Sequence, residues 1–265
     1  MRIKEIVSAL ERFAPLPLQD GFDNAGLQIG LTEVEATGAL LCLDVTEAVL
    51  DEAIALGHNL VISHHPLIFK GYKSITGKDY VERCILKAIK NDIVIYSAHT
   101  NLDNAYGGVN YKIAEKIGLK NLQVLEPKEN SLQDDLMQAG AGIVGELDEP
   151  ETELEFLKRI KKTFEVGCVR HNRLTGREIQ KVALCGGAGA FLLPQAIRAG
   201  ADVFITGEIK YHDYFGHEGD ILMAEIGHYE SEQYTKEIFY SIIRDLFPNF
   251  ALQSSKINTN PIKYL

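Results

Sequence analysis

The segment Val61-Ile62-Ser63-His64-His65-Pro66 decides how the chain is interpreted, because an apolar strand runs directly into two histidines. The proline that follows cannot donate to the hydrogen-bond ladder of a central strand, so the strand is expected to end there. In an open α/β sheet, ligands bind beyond the carboxyl ends of the strands. Two adjacent histidines at such an end are unusual as packing, and they indicate part of a metal site.

Apolar strands and amphipathic helices alternate around this segment, which is the pattern of an α/β fold. Residues 39–43 predict the strand before it, and residues 93–96 predict the strand after it. The later strand runs into a polar segment that contains His99 and Asp103. Polar side chains therefore follow an apolar strand a second time, and the candidate ligands gather at strand ends.

Helices are predicted where apolar residues recur at helical spacing between turn residues. Thr46 is a suitable N-cap and Gly57 a suitable end for a helix over residues 46–56. Strands are predicted at 142–147 and near 166–171. The other predicted helices span residues 3–13, 79–90, 108–117, 151–163 and about 231–246.

The second half of the chain repeats the pattern of the first. Residues 39–63 align without a gap with residues 182–206, at a constant offset of 143, so that Cys42 falls on Cys185. The next strand recurs as well, and in both copies a histidine follows it, His99 in the first and His228 in the second. Two matches in the same order indicate an internal duplication.

The repeat predicts two structurally related α/β lobes with a metal site in the cleft between them. The first lobe is expected over residues 1–125 and the second over residues 178–265. A short connecting region over residues 126–177 is expected to join them, because that stretch is too long for a loop and short for a domain.

The candidate ligands come from both halves of the chain. His228 and Glu232 open the last helix, where the i, i+4 spacing places them on one face. His64 and His65 are neighbours on an extended chain and point to opposite sides, which favours one ion for each. Two ions about 3.5–4 Å apart need a carboxylate between them, for which Asp103 and Glu232 are the candidates.

This ligand set predicts two divalent cations per chain. Mixed imidazole and carboxylate ligation suits zinc, iron, manganese, cobalt and nickel, and the first three are the expected cations. Three other histidines, His58, His171 and His217, fit ordinary surface or hydrogen-bonded residues.

Further candidates surround the ligands. His99 and Glu208 are candidates for proton transfer, and His99 alternatively orients a ligand carboxylate. The turn over residues 185–190 contains Gly187 and Gly189, whose backbone N–H groups are candidates for holding an anion at a helix N-terminus. A tight turn that lets the helix pack against the strand explains the glycines equally well.

Composition limits the function classes. A net charge of -10 disfavours a broad nucleic-acid surface, and no apolar run approaches the ~20 residues that span a bilayer. The four cysteines form no CxxC pair, which indicates a reduced, cytoplasmic chain. An anionic small molecule is the expected ligand of the glycine turn.

Five motifs, in this order, resemble those of one known family. They lie at residues 23–28, 63–66, 99–103, 185–189 and 227–232. The family is that of the GTP cyclohydrolase 1 type 2 homologues, also called Nif3-like proteins, and the resemblance covers nearly the whole chain.

The resemblance implies a dinuclear metal centre at the matching positions, with Glu232 as the bridging carboxylate. It also implies a two-lobed fold and a ring-shaped homohexamer, a trimer of dimers. Some members carry an extra domain in the middle of the chain, for which residues 126–177 are too few.

Two functions remain open at this point. The first is a metal-dependent hydrolase of unknown substrate, related to GTP cyclohydrolase by family name only. The second is a non-enzymatic metal-binding protein, a metal chaperone or a regulatory protein. A ligand set that leaves no coordination position open would favour the second.

Overall fold

The computed structural model describes residues 1–128 and 138–265, which form two compact units. The first unit consists of Met1–Leu102 and Thr235–Pro261, and the second consists of Asp103–Tyr234 and Ile262–Leu265. The predicted division at 1–125, 126–177 and 178–265 follows the sequence repeat and stays a prediction, whereas these units are defined by proximity in space.

The helices and strands alternate along most of the described chain. The strands are β1 (Gly26–Ile29), β2 (Ala39–Cys42), β3 (Leu60–Ser63), β4 (Val94–Ser97), β5 (Lys120–Pro127), β6 (Gly140–Thr152), β7 (Arg170–His171), β8 (Glu178–Cys185), β9 (Val203–Thr206), β10 (Leu222–Glu225) and β11 (Leu252–Ser254). The helices are α1 (Ile3–Phe13), α2 (Glu47–Leu56), α3 (Tyr80–Lys90), α4 (Thr100–Asn104), α5 (Val109–Ile117), α6 (Glu153–Thr163), α7 (Leu193–Arg198), α8 (His228–Glu232) and α9 (Thr235–Leu246).

The first unit contains a sheet with the strand order β1-β4-β3-β2-β11. Strands β4, β3, β2 and β11 are parallel, and β1 pairs antiparallel with β4 at the edge. Every residue of β2, β3 and β4 is buried, as expected for parallel strands covered on both faces. The registers bring Cys42, Ser63 and Ser97 side by side at the carboxyl ends.

Helix α2 shows why the local sequence determines the elements of this unit. The Thr46 hydroxyl accepts a hydrogen bond from the Val49 N–H at 3.3 Å, and Gly57 ends the helix with a φ of 68°. The buried face of α2 contributes Val49 and Leu50 to a core that includes residues of β2, β3 and β4. The prediction of a helix over 46–56 between these two residues is confirmed.

The second unit contains a sheet with the strand order β5-β6-β8-β9-β10-β7. Strands β8, β9 and β10 are parallel, and the other strands of the sheet pair antiparallel with their neighbours. The registers bring Cys185, Thr206 and Glu225 side by side at the carboxyl ends. Each sheet thus contains three consecutive parallel strands in chain order, at the positions where the sequence repeats.

Several predicted elements have different bounds in the structure. The strand expected over 142–147 extends over Gly140–Thr152, because it pairs with both β5 and β8. The strand expected near 166–171 is limited to Arg170–His171. The single last helix expected over 231–246 is two helices, α8 and α9.

The break between α8 and α9 coincides with tertiary hydrogen bonds. The Gln233 side-chain amide donates to the Phe164 carbonyl at 3.2 Å, and the Tyr234 hydroxyl donates to the Thr163 carbonyl at 2.9 Å. These contacts fix the chain between the two helices in the second unit. No helix in the described part of the chain is both long and apolar enough to cross a membrane.

Candidate metal centre

The histidines that follow β3 lie beyond the strand proper. Ser63 is the last residue of β3. Beyond it, the backbone N–H of His64 donates to the Cys42 carbonyl, and that of His65 donates to the Leu43 carbonyl. The two imidazole rings lie with their centroids 4.9 Å apart and tilted by 49°. The expectation that they point to opposite sides is wrong, because it assumed an extended chain.

His99 joins these two histidines in the first unit. It comes two residues after β4, and its ring centroid lies 5.3 Å from that of His64 and 5.5 Å from that of His65. One potential ligand atom from each of the three lies within 4.8 Å of the others, close enough to bind a common cation. His99, expected to transfer protons or orient a ligand, is therefore also placed to act as a ligand.

His65 is oriented by Asp44, two residues beyond β2. Asp44 Oδ1 accepts a hydrogen bond from His65 Nδ1 at 2.7 Å, and Asp44 Oδ2 accepts one from the Thr259 hydroxyl at 2.6 Å. Burial raises the pKa of Asp44, but the hydrogen bond from His65 and the charge of that imidazole outweigh it and lower the pKa below its usual value. Asp44 is thus ionised and fixed on both oxygens.

His99 is oriented in the same way by Asp23. Asp23 Oδ1 accepts a hydrogen bond from His99 Nδ1 at 2.8 Å, and Asp23 Oδ2 accepts one from the Thr100 N–H at 3.0 Å. Burial raises the pKa of Asp23, but hydrogen bonds from His99 and Thr100 prevail and lower it to about 2. The carboxylate that holds His99 is therefore ionised at any physiological pH.

The orientation of His64 completes the pattern. Its Nδ1 lies 2.9 Å from the Ala98 carbonyl oxygen, which can only accept a hydrogen bond. The Nδ1 of His64, like those of His65 and His99, therefore carries the proton. In the neutral ring this leaves the Nε2 lone pair for another partner, which is the arrangement of histidines that ligate metals.

The second unit presents His228 and Glu232 from α8. His228 Nε2 lies 3.1 Å from Glu232 Oε2, as the i, i+4 spacing predicts. Glu208, two residues beyond β9, accepts a hydrogen bond from His228 Nδ1 at 2.7 Å. Glu208 thus orients the imidazole of His228, and in this orientation Nε2 points toward Glu232.

Gly187 leaves the room that Glu232 needs, and Gly189 leaves room for the side chains of Cys185 and Thr206. Gly187 has a φ of 58°, and a Cβ atom there would collide with Glu232 Oε1. The Gly187 N–H donates to the Ser231 hydroxyl at 3.0 Å, and the Gly189 N–H donates to the Thr206 hydroxyl at 3.0 Å. An anion bound at this turn would have to replace both hydrogen bonds. The hydrogen bond to Ser231 instead holds the turn tightly against α8, which favours packing as the reason for the glycines.

Asp103 is tied to the same glycine turn. Its backbone carbonyl accepts a hydrogen bond from the Asn110 side-chain amide at 3.0 Å. The amide oxygen of Asn110 accepts in turn from the Gly186 N–H at 2.9 Å. Asn110 therefore couples the position of Asp103 to the turn on which Glu232 rests.

The sequence pattern predicts no role for Asp44, and Asp23 stands in it only as part of the motif at residues 23–28. A signal for Asp44 exists, because it follows the apolar strand β2 as the histidines follow β3. Its contact with Thr259, far away in the chain, has no signal in the sequence.

Together, two mixed α/β sheets with histidine and carboxylate groups beyond their strand ends define an α/β protein with candidate metal-binding clusters. The profile of the Duf34/NIF3 (NGG1p interacting factor 3) family matches residues 1–261, so the chain belongs to that family.

Similar proteins agree with this assignment. A Clostridium perfringens protein named GTP cyclohydrolase 1 type 2 homolog is 38% identical over 235 residues, which cover 88% of this chain and 87% of that protein. The crystal structure of a Staphylococcus aureus hypothetical protein has a TM-score of 0.90 at 32% identity and covers 100% of this chain and 99% of its own. A Bacillus cereus protein related to NIF3 has a TM-score of 0.89 at 27% identity, with the same coverage.

Proposed function

We propose that the chain is a metal-dependent hydrolase with a dinuclear centre. The proposed ligands are His64, His65, Asp103, His228 and Glu232, with Glu232 as the bridging carboxylate. The observation that carries the proposal is the common orientation of the ligand histidines. Each donates its Nδ1 hydrogen to an oxygen acceptor, so in the neutral ring the lone pair lies on Nε2, the atom that would ligate a cation.

The donor chemistry fits the proposed cations. Imidazole nitrogens and carboxylate oxygens suit zinc, iron or manganese. Bound divalent cations would supply Lewis acidity and a water molecule of lowered pKa. Membership of the family adds support, because the relatives carry a name that refers to a hydrolytic reaction.

The residues around the ligands take defined parts in this proposal. Asp44 and Glu208 orient His65 and His228, and their charge makes both imidazoles better electron donors. His99 and Glu208 are the proposed proton-transfer groups. Asp23 Oδ1 fixes the His99 ring through Nδ1, and the Glu208 side chain is 58% exposed and so reaches solvent.

The substrate is proposed only as a class. An anionic small molecule would be attracted by two bound cations. From the name of the relatives we take the hydrolytic reaction, but not guanine as part of the substrate. Turnover should be sought with phosphoesters, nucleotides and cyclic amides after reconstitution with zinc, iron or manganese. Glu232→Ala should abolish metal binding and turnover together, whereas Glu115→Ala, on an exposed helix position, should change neither.

The outcomes separate the alternatives. Turnover by a demetallated Glu232→Ala protein would contradict the proposal. Stoichiometric metal binding that depends on Glu232, without turnover of any substrate class, would instead support the non-enzymatic metal-binding function.

We also propose that the chain arose by internal duplication and that it assembles into a homohexamer. The shared order of three parallel strands in each sheet supports an internal duplication of one α/β unit. A homohexamer, a trimer of dimers, is proposed from the resemblance to Nif3-like proteins. Light scattering coupled to size-exclusion chromatography should then give six times the 29.4 kDa mass of one chain.

A further inference from the structure

A cavity of about 590 Å³ opens in the second unit beside the edge strand β7. One wall is formed by β7 and the residues after it, and the other by the 3-10 turn Tyr211–Tyr214. The volume lies within the range of sites that bind small molecules. The groups that matter for binding are Arg173, Tyr211, Phe215 and Glu218.

The aromatic wall is unusually exposed. Tyr211 is 68% exposed and Phe215 is 56% exposed, and their ring centroids lie 5.4 Å apart at an interplanar angle of 65°. Aromatic rings of this exposure provide faces on which a planar ring can stack. A planar ring is therefore the first feature of the expected ligand.

The cationic wall contains two arginines with different surroundings. Arg170 is held by Glu225, whose Oε1 accepts from Nη1 at 2.8 Å, and its guanidinium lies 5.7 Å from the centre of the Tyr214 ring. Arg173 is exposed, and it makes no hydrogen bond or ion pair within residues 1–128 and 138–265. An unneutralised guanidinium beside aromatic faces favours a phosphate as the second feature of the ligand.

The walls are fixed before any ligand arrives. The Asn172 side chain donates to the Ile221 carbonyl at 3.0 Å and accepts from the Met223 N–H at 2.9 Å, which ties the cationic wall to β10. The Tyr214 hydroxyl donates to Glu225 at 3.2 Å, which ties the aromatic wall to the same strand. Preorganised walls reduce the ordering cost of binding.

We propose that this cavity binds a mononucleotide, with the base stacked on the face of the Tyr211 ring, in edge contact with Phe215, and the phosphate on Arg173. The Glu218 carboxylate accepts hydrogen bonds from the ribose hydroxyls. A mononucleotide fits better than a nucleic-acid strand, because the net charge of -10 opposes a polyanion. The proposal does not depend on the metal function.

Calorimetric titration of the full chain with AMP, GMP, CMP and UMP tests the site. At least one should bind at millimolar concentration or below, and Tyr211→Ala and Arg173→Ala should each weaken binding about tenfold. Half-ligands separate the two walls. Adenosine should bind Arg173→Ala as it binds the wild type, and ribose 5-phosphate should bind Tyr211→Ala as it binds the wild type.

Matched controls are available in the same unit. Phe191 is 57% exposed, close to the 56% of Phe215, so Phe191→Ala should leave binding unchanged while Phe215→Ala weakens it. Arg198→Ala is the control for Arg173→Ala, because it also removes an exposed arginine.

Four results would overturn the proposal. The first is no binding of any of the four mononucleotides, and the second is binding that survives Tyr211→Ala and Arg173→Ala together. The third is binding that disappears after treatment with EDTA, because the nucleotide would then be bound at a metal site and not in this cavity. An oligonucleotide that binds where mononucleotides do not would also contradict it.

Discussion

Asp44 and His65 lie two residues beyond neighbouring parallel strands, and their side chains meet in a hydrogen bond of 2.7 Å. The other oxygen of Asp44 is occupied by Thr259. The carboxylate therefore has one fixed position, and it transmits that position to the imidazole. His99 and Asp23 form a second pair of the same kind.

Removal of the Asp44 carboxylate should weaken metal binding. Groups that hold a ligand histidine typically change metal affinity by about 10- to 100-fold, and we expect Asp44→Ala to fall in this range. Asp44→Asn should lose less, because its amide oxygen can still accept from Nδ1. Competition with a fluorescent chelator measures the affinity, with Asp51→Asn, 63% exposed and paired with Lys87, as the control. Equal affinities in wild type and Asp44→Ala would contradict the assigned role.

Gly187→Ala should affect both the stability and the metal affinity. An alanine at positive φ costs about 1–2 kcal/mol, and the added Cβ would also displace the Glu232 carboxylate. Gly200 provides the control, because its φ of 69° is similar and a Cβ there has no atom within 4 Å. Gly200→Ala should therefore lower only the free energy of unfolding. Denaturant unfolding and chelator competition measure the two effects, and identical behaviour of the two variants would exclude the contact as the cause.

The sequence predicts this fold best where the determinants are local. Thr46 and Gly57 define α2 by capping and by left-handed backbone geometry, and both act within a few residues of the helix. The positions of His65 and His228 follow from the rule that polar residues cluster beyond apolar strands. The division of the last predicted helix at Gln233 could not be predicted, because its contact with Phe164 depends on the tertiary fold.

The contacts of the candidate site residues also depend on the tertiary fold and could not be predicted from the local sequence. The sequence predicts Glu208 as a proton-transfer group, but only the structure shows that it accepts a hydrogen bond from His228. The sequence predicts an ordinary surface residue at His171, whereas the structure places it on the wall of a cavity. Glu208 and the opposite wall of the cavity, residues 211–218, each come from a segment that the local pattern around the histidine does not specify.

Two substitutions of Glu208 separate positioning from proton transfer. Glu208→Ala removes the acceptor for His228 Nδ1 and should weaken metal binding about tenfold. Glu208→Gln keeps an acceptor oxygen and should retain metal affinity within a few-fold. If Glu208 also transfers protons, turnover at saturating metal should fall in Glu208→Gln. Chelator competition and kcat give the two readouts, and Glu178→Ala, at an exposed position of β8, serves as the control.

Glu82 makes stability depend on pH, away from the candidate ligands. It is fully buried, and its Oε2 accepts hydrogen bonds from the backbone N–H groups of Thr76 at 2.8 Å, Gly77 at 2.9 Å and Lys78 at 3.1 Å. The Thr76 N–H is the main cause that lowers the pKa of Glu82 from 4.5 to about 2. A carboxylate with a lowered pKa in the folded state stabilises the fold above its unfolded pKa.

The stabilisation by Glu82 should therefore be complete above pH 4.5 and disappear as the pH falls toward about 2. Glu82→Gln cannot titrate, so the difference in Tm between wild type and this variant should be constant above that window and shrink within it. Thermal unfolding by circular dichroism measures this difference, which removes the contribution of the other carboxylates. Glu115→Gln, whose side chain is 67% exposed, should show little difference at any pH. The wild type could instead keep its full difference in Tm over Glu82→Gln near pH 2. This result would show that packing, and not the charge of Glu82, holds the loop over residues 76–78.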